Sequence, residues 1–164
     1  MKFKSIIEIE DIFRTLGSGM ILEDKNFLRL KKQEKHFVSN TYDHSLRTAY
    51  IMYVMSEDKR TIPIGLFHDF CDRPKKDKNF KLLKPRTWWC FTHGNRAAEN
   101  AIGAVVYYET NGLWKNKRME GEDFDAIRTH MFPLGPVPKS KNAWLITVAD
   151  KIAAIIDVVP ALAA

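Results

Sequence analysis

The chain has 164 residues, of which 45% are hydrophobic and 28% are charged, and its formal net charge is +6. Its 10 Phe, 5 Tyr and 4 Trp exclude a disordered protein, and two cysteines are too few for a secreted disulfide scaffold. This composition predicts one compact domain, 1–164, whose core needs neither disulfides nor a structural metal.

The start of the chain and its longest apolar run bear on location. Glu8, Glu10 and Asp11 interrupt any apolar stretch near the start, so we expect no secretory signal peptide. The longest uncharged apolar run, 101–108, is far shorter than the roughly 20 residues that span a bilayer. We therefore expect a soluble, cytoplasmic protein without membrane contact.

Apolar residues recur at helical spacing in six segments, separated by Gly and Pro residues that end helices. A polar, irregular stretch reaches to about residue 40, where Asn40 or Thr41 can cap the next helix. The predicted helices cover 5–16, 41–56, 61–70, 94–108, 122–130 and 139–159, the last ended by Pro160. No segment alternates with period two between hairpin turns, so the predicted fold class is all-α.

Two of these helices have a predicted inward face. In the helix over 41–56, the spacing turns these residues inward: Leu46, Ala49, Tyr50, Tyr53 and Val54. In the helix over 94–108, the inward residues are Ala97, Ala98, Ala101, Ile102, Val105 and Val106.

Acidic residues interrupt the two most apolar segments. His68 and Asp69 lie among Ile, Leu and Phe, and Asp150 lies in a helix that is apolar almost all round. Burying an ionised carboxylate costs several kcal/mol unless a cation or a full set of donors compensates. A positive group must therefore face Asp69 and Asp150, and it is either Arg47 or Lys151 in an ion pair or a metal ion.

Histidines favour the metal. His44, His68, His93 and His130 lie on or near four different predicted helices. Imidazole and carboxylate together are the ligands of Zn²⁺, Mn²⁺, Fe²⁺ and related ions. With the two acids, the order along the chain is His, His-Asp, His, His, Asp, which is much more specific than any one histidine.

This order resembles the H…HD…D signature of the HD-domain metal-dependent phosphohydrolases. His93 and His130 match the extra histidines of the subgroup that holds two metals, and the similarity covers about residues 36–157. The stretches similar to a bacterial, largely uncharacterised branch include Tyr42-Asp43-His44-Ser45, Gly65-Leu66-Phe67-His68-Asp69-Phe70 and His130-Met131-Phe132-Pro133-Leu134. The resemblance implies an HD-domain helical bundle around a metal centre.

The resemblance also implies ligands and chemistry. His44, His68, Asp69 and Asp150 would hold the first ion, and His93 and His130, with Asp69 bridging, would hold the second. The implied enzyme is a phosphohydrolase that cleaves a phosphate ester of a small molecule or nucleotide with a metal-activated hydroxide. The ligand set suits one or two ions of Fe, Mn, Co, Ni or Zn, and Mg less well because Mg prefers oxygen ligands.

Further residues have expected roles around these ligands. Asp69 and Lys151 are expected to be catalytic, and Asp72 takes the place of a glutamate that acts as acid or base in some nucleotidases of the superfamily. Lys151 either faces the substrate phosphate, extends to solvent or pairs with an acid. Arg47, one turn after His44, either clamps a phosphate or pairs with Asp69 or a surface acid.

Alternatives stay open at this point. The protein is either this enzyme or a non-catalytic metal- or nucleotide-binding sensor, or it binds nucleic acid through the basic 73–86 segment, which can equally be a solvated loop. Trp88, Trp89 and Phe91 either stack on a nucleobase or pack in the core. His36 is more simply a loop hydrogen-bonding residue, and Cys71 and Cys90 are expected to be structural.

Overall fold

The computed structural model describes residues 4–35, 39–71, 86–114 and 118–162. Within these ranges the chain forms eight α-helices, which confirms the all-α class. They are α1 (Ile6–Thr15), α2 (Gly19–Glu23), α3 (Lys25–Leu28), α4 (Thr41–Ser56), α5 (Thr61–Phe67), α6 (Arg86–Thr110), α7 (Gly121–Thr129) and α8 (Lys141–Leu162). Among the described residues, no helix combines the length and the apolarity needed to cross a membrane.

The helices α1 and α4 follow the predicted bounds because their ends carry clear capping residues. Ser5 and Glu8 form a reciprocal capping box at the start of α1. The Asn40 side chain accepts a hydrogen bond of 2.8 Å from the backbone N–H of Asp43, so Asn40 is the N-cap of α4. At the other end, α4 stops where Glu57 adopts a left-handed conformation with φ of 54°.

The prediction of an irregular stretch up to residue 40 was wrong. This segment contains α2, α3, a 3₁₀-helix over Arg29–Lys32, and a two-residue antiparallel pair of β1 (Glu34–Lys35) with β2 (Ser39–Asn40). Its buried core residues are Ile21, Leu22, Phe27 and Leu30. Each of these helices has five residues or fewer, which is too short to show a helical repeat of apolar positions.

Three predicted helix boundaries were also wrong. The helix α5 ends at Phe67, three residues before its predicted end. The helix α6 begins at Arg86, and Gly94 lies inside it rather than at its start. The helix α8 continues past Pro160 to Leu162, so this proline lies in the last turn of the helix and does not end it. The predicted break at Gly112 is confirmed, since this glycine has φ of +66° just after α6.

The predicted inward faces were only partly right. Leu46 and Ala49 of α4 are buried, but Tyr50 and Tyr53 are half-buried and Val54 is exposed. In α6, Ala97, Ala98, Ala101 and Val105 are buried, whereas Ile102 is half-buried and Val106 is exposed. The helix α4 packs against both α5 and α8, so its buried surface is wider than one apolar stripe. This surface includes polar residues such as His44 and Thr48, which a search for apolar residues does not find.

A glycine sets the distance between α4 and α5. A Cβ atom added to Gly65 would lie 2.4 Å from the Cα atom of Ala49, which is impossibly close. The absence of a side chain at Gly65 therefore lets the two helix backbones touch. This contact brings His44 on α4 next to His68 at the end of α5, with ring centroids 5.3 Å apart.

We expect Gly65→Ala to destabilise the protein by roughly 1–3 kcal/mol, because the new methyl group must push α5 away from α4. Gly103→Ala is the matched control, since Gly103 is exposed within α6 and a Cβ atom there would meet nothing within 4 Å. The control is expected to gain up to about 1 kcal/mol from helix propensity. Urea unfolding measures both changes, and equal stability of the two variants would contradict the packing argument.

Candidate metal centre

The structure brings together the six residues that the sequence singles out. They come from α4, from the ends of α5 and α7, from α6 and from α8, and all six are buried. Their exposed fractions are 0% for His44, 0% for His68, 7% for Asp69, 4% for His93, 1% for His130 and 6% for Asp150. Among the described residues, two groups of three have ligand atoms within 4.8 Å of one another: His44, His68 and Asp150, and His68, Asp69 and His130.

Two of the histidines lie at helix ends rather than inside helices. His68 is the C-cap of α5, so the His68-Asp69 pair does not lie within a continuous helix as predicted, and His130 is the C-cap of α7. The His68 Nδ1 atom lies 2.7 Å from the Gly65 carbonyl oxygen, and the His130 Nδ1 atom lies 2.7 Å from that of Ile127. Because a carbonyl oxygen only accepts, each Nδ1 donates. In the neutral ring, this leaves the lone pair on Nε2, where a metal ion can bind it.

The first group centres on Asp150. Its Oδ1 atom lies 2.9 Å from His44 Nε2 and 3.5 Å from His68 Nε2. Its Oδ2 atom accepts a hydrogen bond of 2.6 Å from the Lys151 ammonium, so the predicted pairing of Lys151 with an acid is present. Two imidazole nitrogens and a carboxylate oxygen thus face one another in a buried space, which is a ligand set for a divalent transition metal.

The second group centres on Asp69, whose two oxygens face different histidines. The Oδ2 atom lies 3.5 Å from His68 Nε2, while the Oδ1 atom lies 3.3 Å from His93 Nε2 and 3.9 Å from His130 Nε2. The His68, Asp69 and His130 side chains could therefore hold a metal ion.

His93 and His130 are held close to each other, with their Nε2 atoms 3.0 Å apart. A Cβ atom added to Gly94 would lie 2.7 Å from the Arg128 carbonyl oxygen, so this glycine allows α6 to touch the end of α7. Burial, together with the charges of His93 and His68, holds the pKa of His130 well below its usual range. His130 is therefore neutral at physiological pH, which is the form that binds metals.

Asp157 is a part of this region that the sequence analysis missed. It is buried, its Oδ2 atom lies 2.7 Å from His44 Nδ1, and its Oδ1 atom accepts a hydrogen bond from Arg47. Burial opposes ionisation of Asp157, but the hydrogen bond from His44 and the neighbouring Arg47 guanidinium outweigh it and lower the pKa. Its position seven residues after Asp150, two turns along the same helix face, is the signal that could have identified it.

The structure gives Arg47 a different partner from the acids that the sequence suggested. Among the described residues, Arg47 pairs with the buried Asp157 and not with Asp69 or a surface acid. Contact of Arg47 with a substrate stays a prediction.

Several predicted residues lie outside the described part of the chain. These are His36, Asp72 and the basic segment up to residue 85, together with the side chains of Arg86, Trp88, Trp89, Cys90 and Phe91. Their predicted roles stay predictions. Cys71 is described and buried, with its thiol 3.7 Å from the His93 carbonyl oxygen, which fits the structural role expected for it.

Comparisons with protein-family models, with curated proteins and with solved structures find no match for this chain. The class of protein therefore rests on the geometry alone. This is an all-α protein with a buried histidine and aspartate cluster that can hold metal ions.

We expect Zn²⁺ or Mn²⁺ to raise the thermal midpoint of the protein, because an ion that binds only the folded state stabilises it by about 2.7 kcal/mol at 100 times its Kd. His68→Ala is expected to lose most of this effect, since His68 belongs to both groups of ligands. Asp125→Asn, which removes an exposed carboxylate on α7, is the control and is expected to keep it. Thermal melts with metal and with chelator measure the effect, and identical melts of the parent protein would contradict a metal centre.

Proposed function

We propose that this protein is a metal-dependent phosphohydrolase of the HD-domain type that cleaves a phosphate ester of a small molecule or nucleotide. The observation that carries the proposal is the meeting of four histidines and two aspartates, from five segments of an all-α fold, in one buried cluster, which His93 joins through its contacts with His130 and Asp69. Their order along the chain is the one that the HD-domain resemblance rests on.

The ligand set favours Fe, Mn, Co, Ni or Zn over Mg, because four of its six residues offer nitrogen. His44, His68, Asp69 and Asp150 would hold one ion, and His93 and His130 would share Asp69 with it to hold another. When bound, such ions increase the acidity of water and neutralise charge on a phosphoryl group. These two effects are the main requirements of phosphate ester hydrolysis.

The exposure of the cluster indicates where a substrate would enter. Asp69, Asp150 and His93 retain 7%, 6% and 4% exposure, whereas His44, His68 and His130 have 1% or less. The two carboxylates and His93 therefore lie at the more open side of the cluster.

Lys151 adds a positive charge at this open side. Its side chain is 45% exposed, and within the described part of the chain it donates one hydrogen bond, to Asp150. An ammonium group has three donors, so it can also donate to a phosphate oxygen. We infer that Lys151 binds the phosphate of the substrate, and that Asp150 holds the ammonium in place.

We expect the parent protein to release phosphate from one or more compounds in a panel of phosphomonoesters, cyclic diesters and nucleotides when Mn²⁺, Zn²⁺, Fe²⁺, Co²⁺ or Ni²⁺ is present. Asp69→Asn is expected to reduce this rate by about 100-fold or more, because ion-mediated charge stabilisation contributes several kcal/mol. Asp125→Asn is the control with the same chemical change at an exposed site.

Colorimetric phosphate release and chromatography of the products measure this prediction. If the parent hydrolyses nothing with any of these metals yet binds them, the non-catalytic sensor becomes the better hypothesis. Binding of nucleic acid that weakens steeply with salt would instead favour the nucleic-acid-binding alternative.

We expect Lys151→Met to raise KM by about tenfold or more, because a hydrogen bond to a charged group contributes about 1.5–3 kcal/mol. Metal affinity is expected to change much less, since Lys151 lies outside the ligand set. Lys141→Met, at the exposed start of α8, removes the same charge and is the control. Steady-state kinetics measure the change, and an unchanged KM would exclude phosphate contact by Lys151.

A further inference from the structure

The imidazole ring of His44, on α4, lies between two carboxylates that both belong to α8. Its side chain is fully buried, with Nε2 2.9 Å from Asp150 Oδ1 and Nδ1 2.7 Å from Asp157 Oδ2. The two acids have different surroundings, because Asp150 faces His68 in the ligand cluster, whereas Asp157 faces Arg47 and also accepts a hydrogen bond from Ser39. Only one side of the imidazole ring therefore points to the metal centre.

We propose that Asp157, Arg47 and Ser39 form a positioning network that holds His44 as the Nδ1–H tautomer, with its Nε2 lone pair aimed at the metal position. The inference rests on the proposed metal centre, and it assigns Arg47 to the support of a ligand and not to the substrate phosphate. These three residues act through His44 and are positioning residues, because none of them belongs to the ligand groups.

The position of His44 within its helix explains why it needs this support. His68 and His130 lie at helix C-termini, where carbonyl oxygens without helical partners can accept from Nδ1. His44 lies in the first turn of α4, where the unpaired backbone groups are N–H donors and not acceptors. The acceptor for its Nδ1 must therefore come from another element, and Asp157 on α8 supplies it.

Arg47 and Ser39 hold the Asp157 carboxylate in place, and this carboxylate orients the His44 ring. Arg47 lies three residues after His44 on α4 and donates to Asp157 Oδ1. This leaves the other oxygen, Asp157 Oδ2, to accept from His44 Nδ1. The Asp157 side chain is fully buried, and a carboxylate with this number of donors has little freedom to rotate. A carboxylate that accepts a hydrogen bond from the histidine nitrogen opposite the metal-binding nitrogen also makes the ring a better metal ligand.

The first experiment compares Zn²⁺ affinity in the parent and in Asp157→Asn by chelator competition. Loss of such a supporting carboxylate typically weakens metal binding 10–100-fold, and we expect this range. We also expect ¹⁵N NMR of the zinc-loaded parent to show His44 protonated at Nδ1, and that of Asp157→Asn to show this signal shifted or heterogeneous. Asp125→Asn is the control for loss of one carboxylate.

The second experiment separates the two roles of Arg47. We expect Arg47→Met to weaken Zn²⁺ binding several-fold and Arg47→Lys to restore most of the affinity, because a lysine keeps a donor and a charge near Asp157. Arg118→Met, on a largely exposed arginine, is the matched control. A rise in KM with unchanged Zn²⁺ affinity would overturn the proposal in favour of a phosphate clamp.

The outcomes also distinguish this network from the proposed function. If the parent binds Zn²⁺ and the variants weaken it, the network is supported even when no substrate is hydrolysed, and the phosphohydrolase proposal alone fails. If the parent hydrolyses phosphate esters and a folded Asp157→Asn binds Zn²⁺ as tightly as the parent, the network alone fails. If Asp157→Asn does not fold, the Arg47 pair decides, and a parent that binds no Zn²⁺ overturns both.

Discussion

The structure depends on the burial of two carboxylates among imidazoles. Asp69 and Asp150 are more than nine-tenths buried, and the described cation closest to either is Lys151, on Asp150. Buried charge of this kind is unfavourable without compensation. The four surrounding histidines present nitrogen atoms at 2.9–3.9 Å from the carboxylate oxygens. A positive charge bound among these atoms would compensate the two buried carboxylates.

The two helix C-termini solve a geometric problem in this cluster. His68 and His130 each use a carbonyl of their own last turn to orient the ring, so no other side chain is needed to hold them. His44 cannot do this from the start of α4 and takes its acceptor from α8 instead. The imidazole rings of the cluster are thus oriented by two kinds of acceptor, a backbone carbonyl or a carboxylate. Which of the two is used depends on where each histidine lies in its helix.

The sequence predicted the parts of this arrangement that depend on local pattern. The bounds of α1 and α4 follow from caps and apolar spacing. His68, Asp69 and Asp150 follow from polar residues in apolar segments, and His44, His93 and His130 from the order of histidines and acids along the chain. The buried short helices before residue 33 were missed because each is too short to show a helical repeat of apolar positions. The role of Asp157 was missed because its partners His44 and Arg47 lie far from it along the chain. The interior position of Gly94 was also missed, since a glycine needed for helix contact looks the same in sequence as a glycine that ends a helix.

The glycine contacts have a consequence for how the cluster can change. Gly65 and Gly94 lie three residues before His68 and one residue after His93, so each backbone contact lies next to a histidine of the cluster. The spacing between these histidines is thereby set by main chain packed against main chain, which has little freedom to adjust. A change in this spacing would therefore require whole helices to move.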